Sequence, residues 1–242
     1  MLVADSGTKT WSLVTDVHGA PGTSGWKQLM PGRTLRGAWE AVELARIPPG
    51  GLSGQHRHTR TNEIYFILSG CGEYLLDGRA EPMPAGHLAV TAVGSVHGLR
   101  NAGNEDLVWL VAEAPAQPHS RAVQPSPGET PSLGETIVNR SVGPVELEGI
   151  GHLDLTPYGV EPFRQVGIYQ LPAGQSQDLT TDRGEFFGYL LDGAGVMTAN
   201  RAEFPVTAGT GVTLTRGERA TLTATEPTRL YWVCSGLPDG TP

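Results

Sequence analysis

Apolar and β-branched residues come in short runs along this chain: EIYFILSG, HLAVTAV, LVWLVAE, FFGYLLDG, GVTLT and RLYWVCSG, separated by Gly- and Pro-bearing turns. Runs of this length with such boundaries predict strands, and their recurrence predicts an all-β barrel or sandwich. The stretch Arg36 to Arg46 (RGAWEAVELAR) has helical composition but runs into Pro48-Pro49-Gly50-Gly51; its place in an internal repeat makes it a strand. With 33 Gly and 19 Pro in 242 residues, a mostly helical chain is excluded.

From Pro115 to Thr136 the sequence is rich in Pro, Ser and Gly without apolar periodicity, the mark of a linker. The halves on either side are similar. An offset of 124 pairs Leu29 with Leu153, Val42 with Val166, Pro48 with Pro172 and Gly50 with Gly174. After a one-residue deletion, an offset of 123 pairs Leu68 with Leu191, Gly70 with Gly193, Gly86 with Gly209 and Gly94 with Gly217. Continued to the end, it pairs Leu107 with Leu230, Trp109 with Trp232 and Pro115 with Pro238, which suggests a packing role for both tryptophans. The expectation is two copies of one β-domain, 1–118 and 136–242, joined by a linker at 119–135.

A net charge of −8 and the lack of a Lys/Arg cluster argue against nucleic acid or an anionic membrane as partner, and leave small molecules. There is no run of about 18 apolar residues, and the N-terminus lacks a signal-peptide pattern, so a cytoplasmic protein is expected. Cys71 and Cys234 are too few for a disulfide framework and are read as reduced thiols.

Candidate chemistry is concentrated in the first half. His56 and His58 alternate with Arg57, so on a strand the two imidazoles share a face while the arginine points away. Glu63 follows, and His97 comes after Gly86 and Gly94. Together they supply three nitrogens and one oxygen, a donor set suited to divalent Mn, Fe, Co, Ni, Cu or Zn.

The spacings G-x5-H-x-H-x4-E-x6-G (Gly50 to Gly70) and G-x5-P-x-G-x2-H-x3-N (Gly86 to Asn101) resemble the two cupin motifs, with Ala92 where the family has Pro. The duplication resembles a bicupin. That resemblance implies two jelly-roll β-barrels in tandem, with His56, His58, Glu63 and His97 as ligands of one divalent transition metal ion per chain (Fe, Mn, Ni, Cu or Zn). Family habit also suggests a homodimer.

In the second copy the repeat places Thr180, Asp182, Phe186, Ala220 and Ala224 where the first has His56, His58, Glu63, His97 and Asn101, so a metal-free domain is expected. Glu185 is one residue off register and faces the other way. Tyr65 and Ile67 share the parity of Glu63 and face the interior, as Leu99 shares that of His97. Tyr65 and Glu63 are the candidate catalytic side chains: Tyr65 to donate a proton or orient substrate, Glu63 to move protons. Glu43 and Arg46 lie on opposite faces of their strand, so at most one lines the barrel. His87 follows a turn, His18 and His119 fall in loop or linker, His152 reads as a surface residue, and Cys71 lies in a tight turn without a basic neighbour.

Three functions fit this pattern. The first is an oxygenase acting on a chelating enol, diol or aromatic compound. The second is a non-redox isomerase, cyclase or lyase of natural-product biosynthesis, and the third a binding protein without catalysis.

Overall fold

The computed structural model describes residues 1–31, 39–116, 140–182 and 184–236. The linker expected at 119–135, His119, Pro238 and the first residues of the Arg36–Arg46 stretch lie outside them. From Ala41 that stretch is a strand, as its repeat position requires.

In chain order the first half contains β1 (Leu2–Asp5), β2 (Ser12–Thr15), β3 (Thr23–Pro31), β4 (Ala41–Ile47), β5 (Leu52–Arg57) and β6 (Thr61–Ser69). It continues with β7 (Cys71–Leu76), β8 (Arg79–Pro84), β9 (His87–Thr91), β10 (Val96–Asn101) and β11 (Leu107–Pro115). The second contains β12 (Val142–Glu146), the one-turn helix α1 (Leu147–Ile150), β13 (His152–Asp154), β14 (Phe163–Leu171), β15 (Ser176–Thr180) and β16 (Gly184–Asp192). It ends with β17 (Ala194–Ala199), β18 (Ala202–Thr207), β19 (Thr210–Leu214), β20 (Arg219–Ala224) and β21 (Thr228–Gly236).

These strands build two jelly-roll sandwiches of cupin type. In the first, a sheet ordered β12-β9-β6-β11-β4-β3-β2 faces a sheet ordered β5-β10-β7-β8. In the second, β1-β19-β16-β21-β14-β13 faces β15-β20-β17-β18. β1 completes the sheet of the second half through β19, and β12 completes that of the first through β9, so each half lends the other a strand.

The two large sheets pack back to back. Alternation explains how: on β6, Glu63, Tyr65 and Ile67 point into the first sandwich, whereas Ile64 and Phe66 point outward into a core shared with Val166, Phe187, Tyr189, Tyr231 and Val233. Phe66 stacks on Tyr231 across this core, with ring centroids 4.4 Å apart. Trp39 enters the same core and donates its indole N–H to Ser235 Oγ at 2.8 Å. Strands buried on both faces read as continuous apolar runs, which is why EIYFILSG and FFGYLLDG carry so little alternation.

Strand pairing confirms most of the repeat and corrects it in two places. Near its end β5 is bulged against β10, so His56 pairs with His97 just as Leu179 pairs with Ala220. The Gly94 amide bonds to the His58 carbonyl as the Gly217 amide bonds to that of Thr181. The structural counterparts of His56 and His58 are therefore Leu179 and Thr181, one position before the expected Thr180 and Asp182. The second correction concerns the turn before the last strand, 102–106 in the first half and 225–227 in the second. Because the latter is two residues shorter, Trp109 corresponds to Leu230 and Trp232 to Val111, so the two tryptophans are not equivalent.

Candidate metal centre

The cluster lies between the facing sheets of the first sandwich. β5 and the turn after it carry His56 and His58, β10 carries His97 and β6 carries Glu63. One donor atom from each lies within 4.8 Å of the others. His97, His58 and Glu63 are buried, and His56 is half-buried on the open side.

Hydrogen bonds on the far ring nitrogens orient the imidazoles. His58 Nδ1 donates to the Thr61 carbonyl at 3.0 Å and His56 Nδ1 to the Gly54 carbonyl at 3.1 Å. A carbonyl only accepts, so these two rings carry their proton on Nδ1 and present a bare Nε2. His97 Nδ1 lies 2.9 Å from Thr91 Oγ1 and 3.2 Å from the Tyr74 hydroxyl. Such outer partners fix ring orientation and tautomer at metal sites.

The inner atoms face one another. His58 Nε2 is 3.0 Å from His97 Nε2, which is 3.3 Å from His56 Nε2. Glu63 Oε2 lies 3.0 Å from His97 Nε2 and 3.3 Å from His58 Nε2, and it is buried without a hydrogen-bond donor. Lone pairs at such separations need a cation or protons between them. The donor set and its orphaned carboxylate oxygen therefore fit a transition metal ion.

The electrostatics agree. Burial, opposed by the Gly54 carbonyl and reinforced by neighbouring imidazoles, lowers His56 to about 4, so it stays neutral. Burial also disfavours a charged His58, but the bond and charge of Glu63 outweigh it and raise its proton affinity. Burial pushes the Glu63 carboxyl up, yet the two imidazoles beside it hold it well below the carboxylate range. Tyr65, fully buried next to the Glu63 charge, has its hydroxyl pushed well above the ordinary value and keeps its proton.

A cavity of about 550 Å³ opens beside the cluster, lined by His56, His58, Glu63 and Tyr65. Of the strand pair left undecided, Glu43 lines this cavity, whereas Arg46 pairs with Asp106 and lies over the Trp11 ring. Ile67 and Leu99 face the interior as expected. Glu185 takes the register of Asn62, on the face opposite Phe186. His87 stands outside the cluster, His152 is exposed on β13, and Cys71 and Cys234 are free thiols.

Several residues of the site escaped the sequence reading. His18, expected in a loop or linker and given no part in the chemistry, stacks on His56 with centroids 3.5 Å apart and planes at 10°. It reaches there because Gly54 lets the loop lie directly on β5: a Cβ on Gly54 would stand 2.3 Å from the His18 carbonyl oxygen. Thr91, Tyr74, Trp26 and Glu113 were likewise unmarked, since nothing in their local sequence tells which strands become neighbours.

A family model for the cupin domain matches residues 43–113. The fold is a cupin. Over 109 residues, 45% of its length, the chain is 29% identical to the oxalate-binding protein of Thermotoga maritima, covering 90% of that protein. Over 63 residues, 26% of the chain, it is 41% identical to gentisate 1,2-dioxygenase of a Ralstonia species, covering 18% of that enzyme. The crystal structure of the E. coli protein Ylba matches 99% of this chain and 92% of its own at a TM-score of 0.71 and 15% identity, a likeness of fold alone. No helix among the described residues is long and apolar enough to cross a membrane.

Proposed function

We propose that this cupin is a metal-dependent oxygenase acting on a small chelating enol, diol or aromatic compound in the first sandwich. The observation that carries the reading is the convergence of three imidazole nitrogens and one orphaned carboxylate oxygen beside a cavity of substrate size. The partial match to gentisate 1,2-dioxygenase supports it. His56, His58, Glu63 and His97 would hold the metal, which supplies Lewis-acid polarisation of substrate oxygens and, if redox-active, a route to O2.

The chain's own groups do the rest. Glu63, kept ionised by the imidazoles beside it, would supply the anionic oxygen of the centre. Tyr65, buried beside the centre, keeps its proton. The aromatic wall of Tyr65 and Trp109, with centroids 5.7 Å apart, excludes water from that side. The test is elemental analysis of the purified protein, followed by O2 uptake with catechols and enols. A bound redox-active metal and substrate-dependent uptake are expected; full occupancy by zinc without uptake overturns the oxygenase.

One observation favours a second reading, a non-redox isomerase, cyclase or lyase. Glu43 and Glu113 also line the cavity, and burial raises both in spite of their hydrogen bonds from Trp26 and Thr61. Carboxyl groups of that kind are suited to move protons without O2. Turnover under nitrogen separates the two readings.

A further inference from the structure

Beyond its metal ligands the cavity has two more carboxyl groups, and their placement bears on what it binds. Glu43 Oε2 accepts the indole N–H of Trp26 at 2.5 Å, which fixes the side chain and leaves its second oxygen for another partner. Glu113 Oε1 accepts the Thr61 hydroxyl at 2.6 Å.

The strand register places Glu43 relative to the centre. Glu113 stands directly opposite Glu63, whereas Glu43 stands opposite Val111, which in turn is opposite Tyr65. Glu43 is thus two strands across and one inward-facing position along from Glu63. Steps of ~5 Å per strand and ~7 Å per residue pair leave room between the two side chains for one small ring. Glu43 is also near enough that the charges of Glu113 and Glu63 act on it.

Two arginines, Arg57 and Arg60, line the exposed rim of this cavity, and both are already engaged. Arg57 is bonded to the Gly94 carbonyl, and Arg60 is paired through both terminal nitrogens with Glu40. A carboxylate held at the metal and extending toward Glu43 would meet another carboxyl group, while the rim arginines are held by the Gly94 carbonyl and by Glu40. A hydroxyl or amino group there would find a positioned acceptor.

We infer that Glu43, braced by Trp26, is the substrate-selecting carboxyl of this cavity and takes a hydrogen bond from a hydroxyl or amino group at the end of the substrate remote from the metal. The inference rests on the metal-centre reading. It assigns the site to small, uncharged polyhydroxylated compounds and against oxalate or an aromatic carboxylate, despite the relatives that carry such ligands in their names.

The test uses zinc-loaded full-length protein under nitrogen, with binding followed by calorimetry, so that no turnover is needed. The probes are 1,2,4-benzenetriol, catechol, salicylate and oxalate. The triol should bind about tenfold more tightly than catechol, the scale of one charge-assisted hydrogen bond, and more tightly than either acid. Glu43→Gln should erase the advantage of the triol over catechol and strengthen salicylate binding, with zinc content unchanged. Trp26→Phe should act in the same direction to a smaller extent, since it removes only the brace.

Tighter binding of oxalate or salicylate than of the triol, a preference unmoved in Glu43→Gln, or no triol binding by zinc-loaded protein overturns the inference. Failure of the protein to take up one zinc ion overturns the metal reading instead, and elemental analysis of the same sample reports it.

Discussion

The interiors of the two sandwiches can be compared position by position. Where the first has Glu63, His56, His97, Thr91 and Tyr74, the register of the second sets Phe186, Leu179, Ala220, Leu214 and Met197. Those five are all buried in one apolar cluster. Tyr65 is replaced by Gly188, and the Phe186 ring takes the freed space, since a Cβ on Gly188 would stand 2.8 Å from it. The same scaffold therefore supports either a ring of lone pairs or a packed hydrocarbon core. The first arrangement exchanges apolar burial for donors that a cation can satisfy, and the second keeps the burial.

That comparison can be broken most directly at the ligands. His58→Ala should lower metal content well below one ion per chain by elemental analysis, because it removes one of the four donors and leaves water in its place. Retention of the ion would place the centre elsewhere.

Acidification gives the next largest effect. Glu63 raises the proton affinity of His58, so metal uptake must displace that proton; affinity should be level above the raised pKa of His58 and fall about tenfold per pH unit below it. His56, lowered to about 4, should contribute no further slope until near that value. Competition with a chelator between pH 8 and 5 measures both limbs, and an affinity rising with acid would contradict the assignment.

Thr91→Val should weaken metal binding by roughly 10- to 100-fold, as expected for loss of a partner that orients a ligand imidazole, here His97. Unchanged affinity in a chelator titration would leave Tyr74 as the only orienting group of that ring.

In the second sandwich the expected effect on metal is nil and the cost falls on stability. Phe186→Ala should leave metal content unchanged and destabilise the protein by about 3–5 kcal/mol in denaturant unfolding, through the cavity it opens. A change in metal content would show that the second half takes part in the centre.

The elements of the fold were legible because strands buried on one or both faces leave short apolar runs between Gly and Pro, and because the turns recur. The four candidate donors were legible for a related reason: His56, His58 and Glu63 lie close in sequence, and His97 follows a recognisable pair of glycines. The repeat slipped by one residue at His56 and by two at Trp109, because a bulge and a shortened turn leave the residue types around them unaltered. His18 was out of reach, since its contact with His56 joins an N-terminal loop to β5 through the missing side chain of Gly54.

The sequence by itself determined the all-β architecture, the duplication, the donor set and its loss from the second copy, because each is written in local spacing and in the identity of residues at repeated positions. Tertiary structure alone decided that the sandwiches trade edge strands, that Trp26 braces Glu43 in the cavity wall, and that Thr91 orients His97. Those facts depend on which strands become neighbours and on which side chains then meet, and pairing between distant segments is selected by the burial of the whole core rather than by any short stretch of chain.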